Sequence, residues 1–322
     1  MEASMDNLRN PRFARFAWGV LAFNVAVALW GAFVRASGSG AGCGDHWPLC
    51  NGMVTPQSRT LATIIEFTHR ATSGIGLVLV AILAWWAFRA FPKRHAARLG
   101  GVLSFIFVMS EALIGAALVL LKHVGTNPST ARGYSLTAHL INTLTLLACL
   151  TLTAWWGSGR PRLRIAGRSA LLAAISLGFV MLMGVTGAIA ALGDTLFPVT
   201  SLAAGIAQDL DPAANIFVRL RIIHPMLAAF AAAWLIFYAI LAIARGGAVP
   251  RRYALRLGAL LATQLAAGTL NLILLAPVWL QIFHLLLAYT LWITLVLLCA
   301  AMLSAAAPAA TTPALPSAQA VH

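Results

Sequence analysis

Long apolar runs alternate with short polar segments from residue 13 to residue 303. Eight runs, at 13–34, 63–88, 100–121, 135–156, 169–192, 218–244, 257–276 and 279–303, are long enough to cross a bilayer as helices. The two-residue alternation of a membrane β-barrel is absent, and a helix satisfies its own backbone in hydrocarbon. The pattern predicts an all-α polytopic membrane protein with eight transmembrane helices. No cleavage motif follows the first run, which is therefore expected to be a retained span and not a signal peptide. Beyond Ser304 the chain turns to Ala, Pro and Thr, and a disordered tail is expected over 304–322.

Composition supports this class. Of 322 residues, 61% are hydrophobic and 9% charged, and the mean hydropathy is +0.87; no water-soluble domain has this balance. The net charge of +14 would suit nucleic acid, but the basic residues lie between the apolar runs, so no nucleic-acid role is expected. Fifteen of the 22 Lys and Arg fall in the N-terminal segment up to Arg15 and in the loops after the second, fourth and sixth runs. By the positive-inside bias that side is cytoplasmic, which puts both termini inside a cell (inner) membrane.

The chain also repeats itself weakly. Setting His69 over His224, an offset of 155, brings Gly31 near Gly187 and the stretch from Glu111 to Gly115 near that from Gln264 to Gly268, and His139 falls over His284 once the offset shortens to 145. Two four-helix halves, 1–160 and 161–303, account for this. His69, His139, His224 and His284 fall on the second, fourth, sixth and eighth runs, each within about two turns of the outer end. One pair per half at matched depth is what two bis-imidazole heme sites require. A single histidine near a helix end is ordinarily an interfacial side chain; four at repeated positions weigh against that reading. His46, His95, His123 and His322, in loops or tail, are expected to be solvated.

The stretch Glu66-Phe67-Thr68-His69-Arg70 places three ionisable side chains inside an apolar run, where each is costly and usually marks a functional site. Glu66 and His69 are i and i+3, so they share a helix face. A carboxylate there can take a proton or stabilise a cationic intermediate. In the second half Arg221 stands in its place, three residues before His224. The first half therefore reads as the reactive site and the second as a resident cofactor site. Arg70, Arg219 and Arg221 are candidates to hold heme propionates, since arginine pairs well with carboxylates. The plainer alternatives are a structural hydrogen bond for Glu66 and lipid headgroups for the arginines. In the first outer loop Cys43 and Cys50 flank Asp45, His46, Trp47 and Pro48. An oxidising compartment favours a disulfide there, structural or redox-active, over zinc. Cys149 and Cys299, inside apolar runs, are expected to be buried thiols.

These residues resemble a known family. Trp30-Gly31-Ala32-Phe33-Val34-Arg35-Ala36-Ser37-Gly38-Ser39-Gly40, the Cys-x6-Cys loop with Trp47-Pro48-Leu49-Cys50, Glu66-Phe67-Thr68-His69-Arg70, Gly193-Asp194-Thr195-Leu196-Phe197-Pro198 and His224-Pro225 are similar to the motifs of heme A synthase. The resemblance runs from about residue 13 to 303. It implies an eight-helix bundle that oxidises a methyl group of heme O to the formyl group of heme A, with water as the oxygen source. It further implies that His69 and His139 hold the substrate heme, that His224 and His284 hold a heme b cofactor, and that Glu66 is the catalytic carboxylate. The Cys43–Cys50 pair looks like the disulfide of the bacterial form. Some members carry a second cysteine pair before the sixth helix, which this chain lacks. Heme O and membrane lipid are the expected partners, with a heme O synthase, cytochrome oxidase assembly factors and a second copy of the chain as candidates. The main alternative is a quinol-linked diheme b-type electron-transfer protein, which leaves the contrast between Glu66 and Arg221 unexplained.

Overall fold

The computed structural model describes residues 9–57 and 60–304. Among them the chain forms α1 (Pro11–Ala36), α2 (Leu61–Ala90), α3 (Ala96–Leu120), α4 (Thr130–Gly157), α5 (Gly167–Leu196), α6 (Leu202–Leu210), α7 (Ile216–Arg221), α8 (Ile223–Arg245), α9 (Ala248–Ile273) and α10 (Val278–Ser304). No strand forms among the described residues, as the absence of alternation predicts. Seven stretches are long and apolar enough to cross a membrane: α1 to α5, α7 with α8, and α10. The chain is thus a multi-pass membrane protein. The run expected at 257–276 falls mostly in α9, which has 26 residues and ends at Ile273; Arg251, Arg252, Arg256, Gln264 and Asn271 lower its hydropathy. The tail expected to be disordered lies outside the described residues, apart from Ser304 at the end of α10.

Polar residues start the helices by taking the backbone N–H groups that have no intrahelical partner. Asn10 Oδ1 accepts from Phe13 N at 3.1 Å, with Pro11 at the first helical position. Thr60, Ser129, Ser201 and Asn215 do the same for α2, α4, α6 and α7.

In the first half α1 packs on α2 and α4, α2 on α3, and α3 on α4; in the second α5 packs on α8 and α10, α8 on α9, and α9 on α10. The two halves meet through α1, α4, α5 and α10. α10 and α4 are the most buried of the candidate spans, with 61% and 44% of their apolar windows inside the protein. A buried hydrogen bond crosses between them, Trp292 Nε1 donating to Leu144 O at 2.8 Å. Large apolar side chains such as Trp85, Leu171, Met226 and Phe230 point outward and are more than half exposed, as expected where hydrocarbon is the solvent.

Two expectations change. The segment 193–217 is not a simple outer loop: α5 runs on to Leu196, and α6 and α7 follow. Neither short helix alone has the apolar length that marks a span; their caps, Ser201 and Asn215, mark where they start. α7 and α8 form one apolar stretch interrupted at Ile222. Pro225 has no N–H to give to the carbonyl of Arg221, which weakens the ladder just before His224. His95 is the second correction. It is 4% exposed, stacks on Phe91 with ring centroids 4.3 Å apart, and accepts from Ala97 N at the start of α3.

Candidate active site

Each of the four repeated histidines lies against a glycine of the preceding long helix. A Cβ placed on Gly31 would stand 2.8 Å from His69 Cε1, on Gly187 3.0 Å from His224 Cε1, and on Gly268 3.1 Å from His284 Cε1. On Gly115 it would stand 3.6 Å from His139 Nε2. The missing side chain lets an imidazole bed into the groove between adjacent helices, in both halves. The His224 and His284 rings are 6.5 Å apart by centroid and nearly perpendicular, at 86°. That is about the span of two metal–nitrogen bonds of about 2 Å each, plus the radii of the two rings.

The protein engages one nitrogen on three of the rings. His139 Nδ1 meets Glu111 Oε1 at 3.1 Å, His224 Nδ1 meets Thr186 Oγ1 at 3.2 Å, and His284 Nε2 meets Gln264 Nε2 at 3.2 Å. His69 Nδ1, His284 Nδ1 and Gln264 Oε1 are buried without a partner. Orphaned polar atoms of this kind are costly. Together with the glycine beds, they fit a site whose rings bond a ligand. Among the described residues no group of three or more His, Cys, Asp or Glu could hold a metal ion alone. Two imidazoles per half suit a metal whose other positions come from a macrocycle. Glu111 is the residue the sequence reading missed. It was visible as an ionisable group inside an apolar run, yet its contact with His139 crosses to the next helix.

Glu66 is 3% exposed and both its oxygens are engaged. Cys43 N donates to Oε2 at 2.8 Å, and Arg70 Nη2 donates to Oε1 at 2.6 Å. The other arm of Arg70, Nη1, donates to His46 O at 2.6 Å and Leu49 O at 2.7 Å. Cys43 and Cys50 are joined as a disulfide, and Arg70 thus ties the loop that they close to the carboxylate. Thr63 Oγ1 adds a bond to Gly42 O at 2.8 Å. At Gly42 a Cβ would lie 2.4 Å from Ala62 C, so the loop backbone sits directly on the first turn of α2. On the outer edge Lys122 Nζ pairs with Asp45 Oδ2 at 2.8 Å, which raises the lysine's proton affinity above its ordinary value. His123 Nδ1 meets Ser135 Oγ at 2.7 Å.

Arg221 is 9% exposed. It donates from Nε to Asp209 Oδ1, from Nη1 to Asp194 Oδ1 at 3.1 Å, and from Nη2 to Gln208 Oε1 at 2.9 Å. It therefore fastens α5 and α6 to α7. Arg219 is exposed. Arg35, at the end of α1, crosses between the halves: Nη1 donates to Ala191 O at 2.7 Å and Thr195 Oγ1 at 2.6 Å, and Nη2 to Gln281 Oε1 at 3.1 Å. Cys149 is half-buried and Cys299 buried.

The COX15-CtaA family model, described as cytochrome oxidase assembly protein, matches residues 14–296. A protoheme IX farnesyltransferase of Thermus thermophilus is 49% identical over 290 residues, which is 89% of this chain and 48% of that protein. The chain thus spans about half the length of this relative. The heme A synthase of Geobacillus kaustophilus is 45% identical over 94 residues, 29% of this chain and 30% of that protein. That of Bacillus mycoides is 42% identical over 96 residues, 30% of this chain and 31% of that protein.

Proposed function

The chain belongs to the COX15-CtaA family of cytochrome oxidase assembly proteins, and from that premise we propose that it is a heme A synthase, oxidising a methyl group of heme O to the formyl group of heme A. The observation that carries this reading is an asymmetry. Glycine-bedded imidazoles occur in both halves, but the pinned carboxylate of Glu66 stands three residues before His69, where the second half has Arg221 paired with Asp194 and Asp209.

With water as the oxygen source, turning a methyl into a formyl group removes four electrons and four protons. In this reading residues 1–160 form the reacting half, with His69 and His139 holding the iron of the substrate. Residues 161–303 form the cofactor half, in which His224 and His284 would hold heme b. Bound there, heme b would supply one-electron chemistry. Glu66 takes a proton, or faces the positive charge that develops at the methyl carbon. Arg70 and the Cys43 N–H hold the carboxylate in one place through that change, which costs no reorganisation during reaction. Arg219, exposed at the outer side, is the arginine best placed to meet a propionate. Arg70 and Arg221 are engaged by protein acceptors and would have to share them. The Arg-rich loops favour a topology with both termini in the cytoplasm and the four histidines toward the outer side of the inner membrane.

The Thermus relative, named for transferring a farnesyl group to protoheme, contains a stretch like this chain in about half its length. Farnesylated heme is the substrate proposed here. An enzyme of that class is therefore the natural supplier, and direct transfer between the two is the favoured route.

Expression in cells that make heme O but no heme A tests the function through the extracted hemes. Heme A should appear with the wild-type chain and be lost with Glu66→Ala. Heme O as the only product of the wild-type chain would sink the reading, and heme A from the Glu66→Ala chain would sink the role of Glu66. His224→Ala should lose heme b and keep the substrate heme.

A further inference from the structure

The two halves treat their last histidine differently. On α3, Glu111 and Gly115 are i and i+4 and meet opposite nitrogens of His139: Glu111 Oε1 stands 3.1 Å from Nδ1, and the Gly115 Cβ position 3.6 Å from Nε2. On α9, Gln264 and Gly268 repeat the spacing against His284, but there the amide Nε2 meets the ring's Nε2 at 3.2 Å and Nδ1 is left without a partner. Glu111 is itself held, accepting from Asn142 Nδ2 and Thr143 Oγ1 of α4, and Asn142 Oδ1 accepts from Ser110 Oγ at 2.6 Å. Three donors from α4 thus converge on one carboxylate within the bundle, where an ionisable group is costly. A carboxylate bonded to the far nitrogen of a metal-binding imidazole fixes its tautomer and raises its donor strength. A neutral amide does so far less.

We infer that Glu111 is a positioning residue that acts through His139, holding the iron of the first half at a lower midpoint potential than that of the second, where Gln264 stands in its place. The inference rests on the heme-binding reading above. Its consequence is directional: an electron on the first iron runs downhill to the second, so the first iron is oxidised and the second reduced. The half that carries Glu66 is then the half from which electrons depart.

The test is a spectroelectrochemical titration of the purified protein with its bound hemes, for wild type, Glu111→Gln, Glu111→Asp and Gln264→Glu, with the low-spin EPR signals followed alongside. Glutamine can still accept from His139 and occupies the same space, so a merely structural role predicts no change in potential. The inference expects the lower-potential transition to move upward in Glu111→Gln, with a changed EPR signal for that heme alone, and to stay near wild type in Glu111→Asp. In Gln264→Glu the higher-potential transition should move downward. Two bound hemes with unmoved potentials in Glu111→Gln would overturn the inference while leaving the proposed function intact. Should Glu111→Gln fail to fold, an unmoved second potential in Gln264→Glu would overturn it equally. A wild-type protein without a bis-imidazole signal would overturn both readings.

Discussion

The backbone N–H of Cys43 donates to Glu66 Oε2 at 2.8 Å, so the disulfide loop and the carboxylate of α2 form one unit. Arg70 closes the unit from the other side, joining Glu66 Oε1 to two carbonyls of the same loop. The covalent closure at Cys43–Cys50 thus has a consequence for a side chain 23 residues away.

Opening that closure should loosen the carboxylate. A hydrogen bond to a charged group contributes about 1.5–3 kcal/mol. Spread over the reaction at about 1.4 kcal/mol per decade, this is about 10–100-fold in rate. The double variant Cys43→Ser/Cys50→Ser is expected to lower heme A formation by that factor while the second-half heme remains bound. Heme extraction beside an absorption spectrum reads both. Unchanged formation would show that the Cys43 contact does not serve the reaction.

Arg70 gives a separate prediction. Its two arms reach three acceptors that diverge from one another, which a lysine cannot match. Arg70→Lys should keep the charge beside Glu66 yet release the loop, so limited proteolysis between Gly44 and Gly52 should accelerate. Heme A formation should fall by less than in Glu66→Ala, whose loss is expected at about 10²–10⁴-fold. Equal losses would place Arg70 in the chemistry itself.

The membrane class and the approximate spans were legible because hydropathy largely decides them: each apolar run lies within one helix, or within α7 and α8 together, to within three residues at its ends, although the run in α9 falls short of the apolarity of the other seven. The pairing of each histidine with a glycine was half legible. The repeat aligned Gly31 with Gly187 and Gly115 with Gly268, but the contact itself needs the packing of neighbouring helices. What the sequence hid are bonds between distant residues. Arg70 and Arg221 looked alike as candidates for a propionate, yet one binds the disulfide loop and the other binds Asp194 and Asp209. Nothing in local pattern encodes such a choice, because it is made by whichever acceptor the fold brings near.

Arg221 and Arg219 lie two residues apart and should respond very differently. Removing Arg221 strands two carboxylates, and breaking a buried pair in this way costs about 3–5 kcal/mol; the partial exposure of Asp194 puts this site at about the lower end of that range. Arg221→Ala should therefore lower the thermal midpoint of the detergent-solubilised protein by several degrees. Arg219→Ala should leave it near wild type and, if it meets a propionate, weaken heme retention instead. A pair of melting curves with heme stoichiometry separates these effects, and equal destabilisation by both would contradict the pairing.

The glycine beds offer a graded test across the four histidines. A methyl group at Gly31 would lie 2.8 Å from the His69 ring, closer than carbon atoms pack, and at Gly268 3.1 Å from that of His284, a tight contact that a shift of a few tenths of an ångström relieves. Gly31→Ala must push His69 out of its groove, so the first-half heme should be lost while the second is retained. Gly187→Ala and Gly268→Ala should weaken retention of the second-half heme to a smaller degree and leave the first in place. Gly115→Ala introduces a contact of 3.6 Å, an ordinary van der Waals distance, and should keep both hemes. Heme-to-protein ratios across these four variants check the order directly. Loss of both hemes in Gly115→Ala, or retention of both in Gly31→Ala, would show that the rings are not held by these grooves.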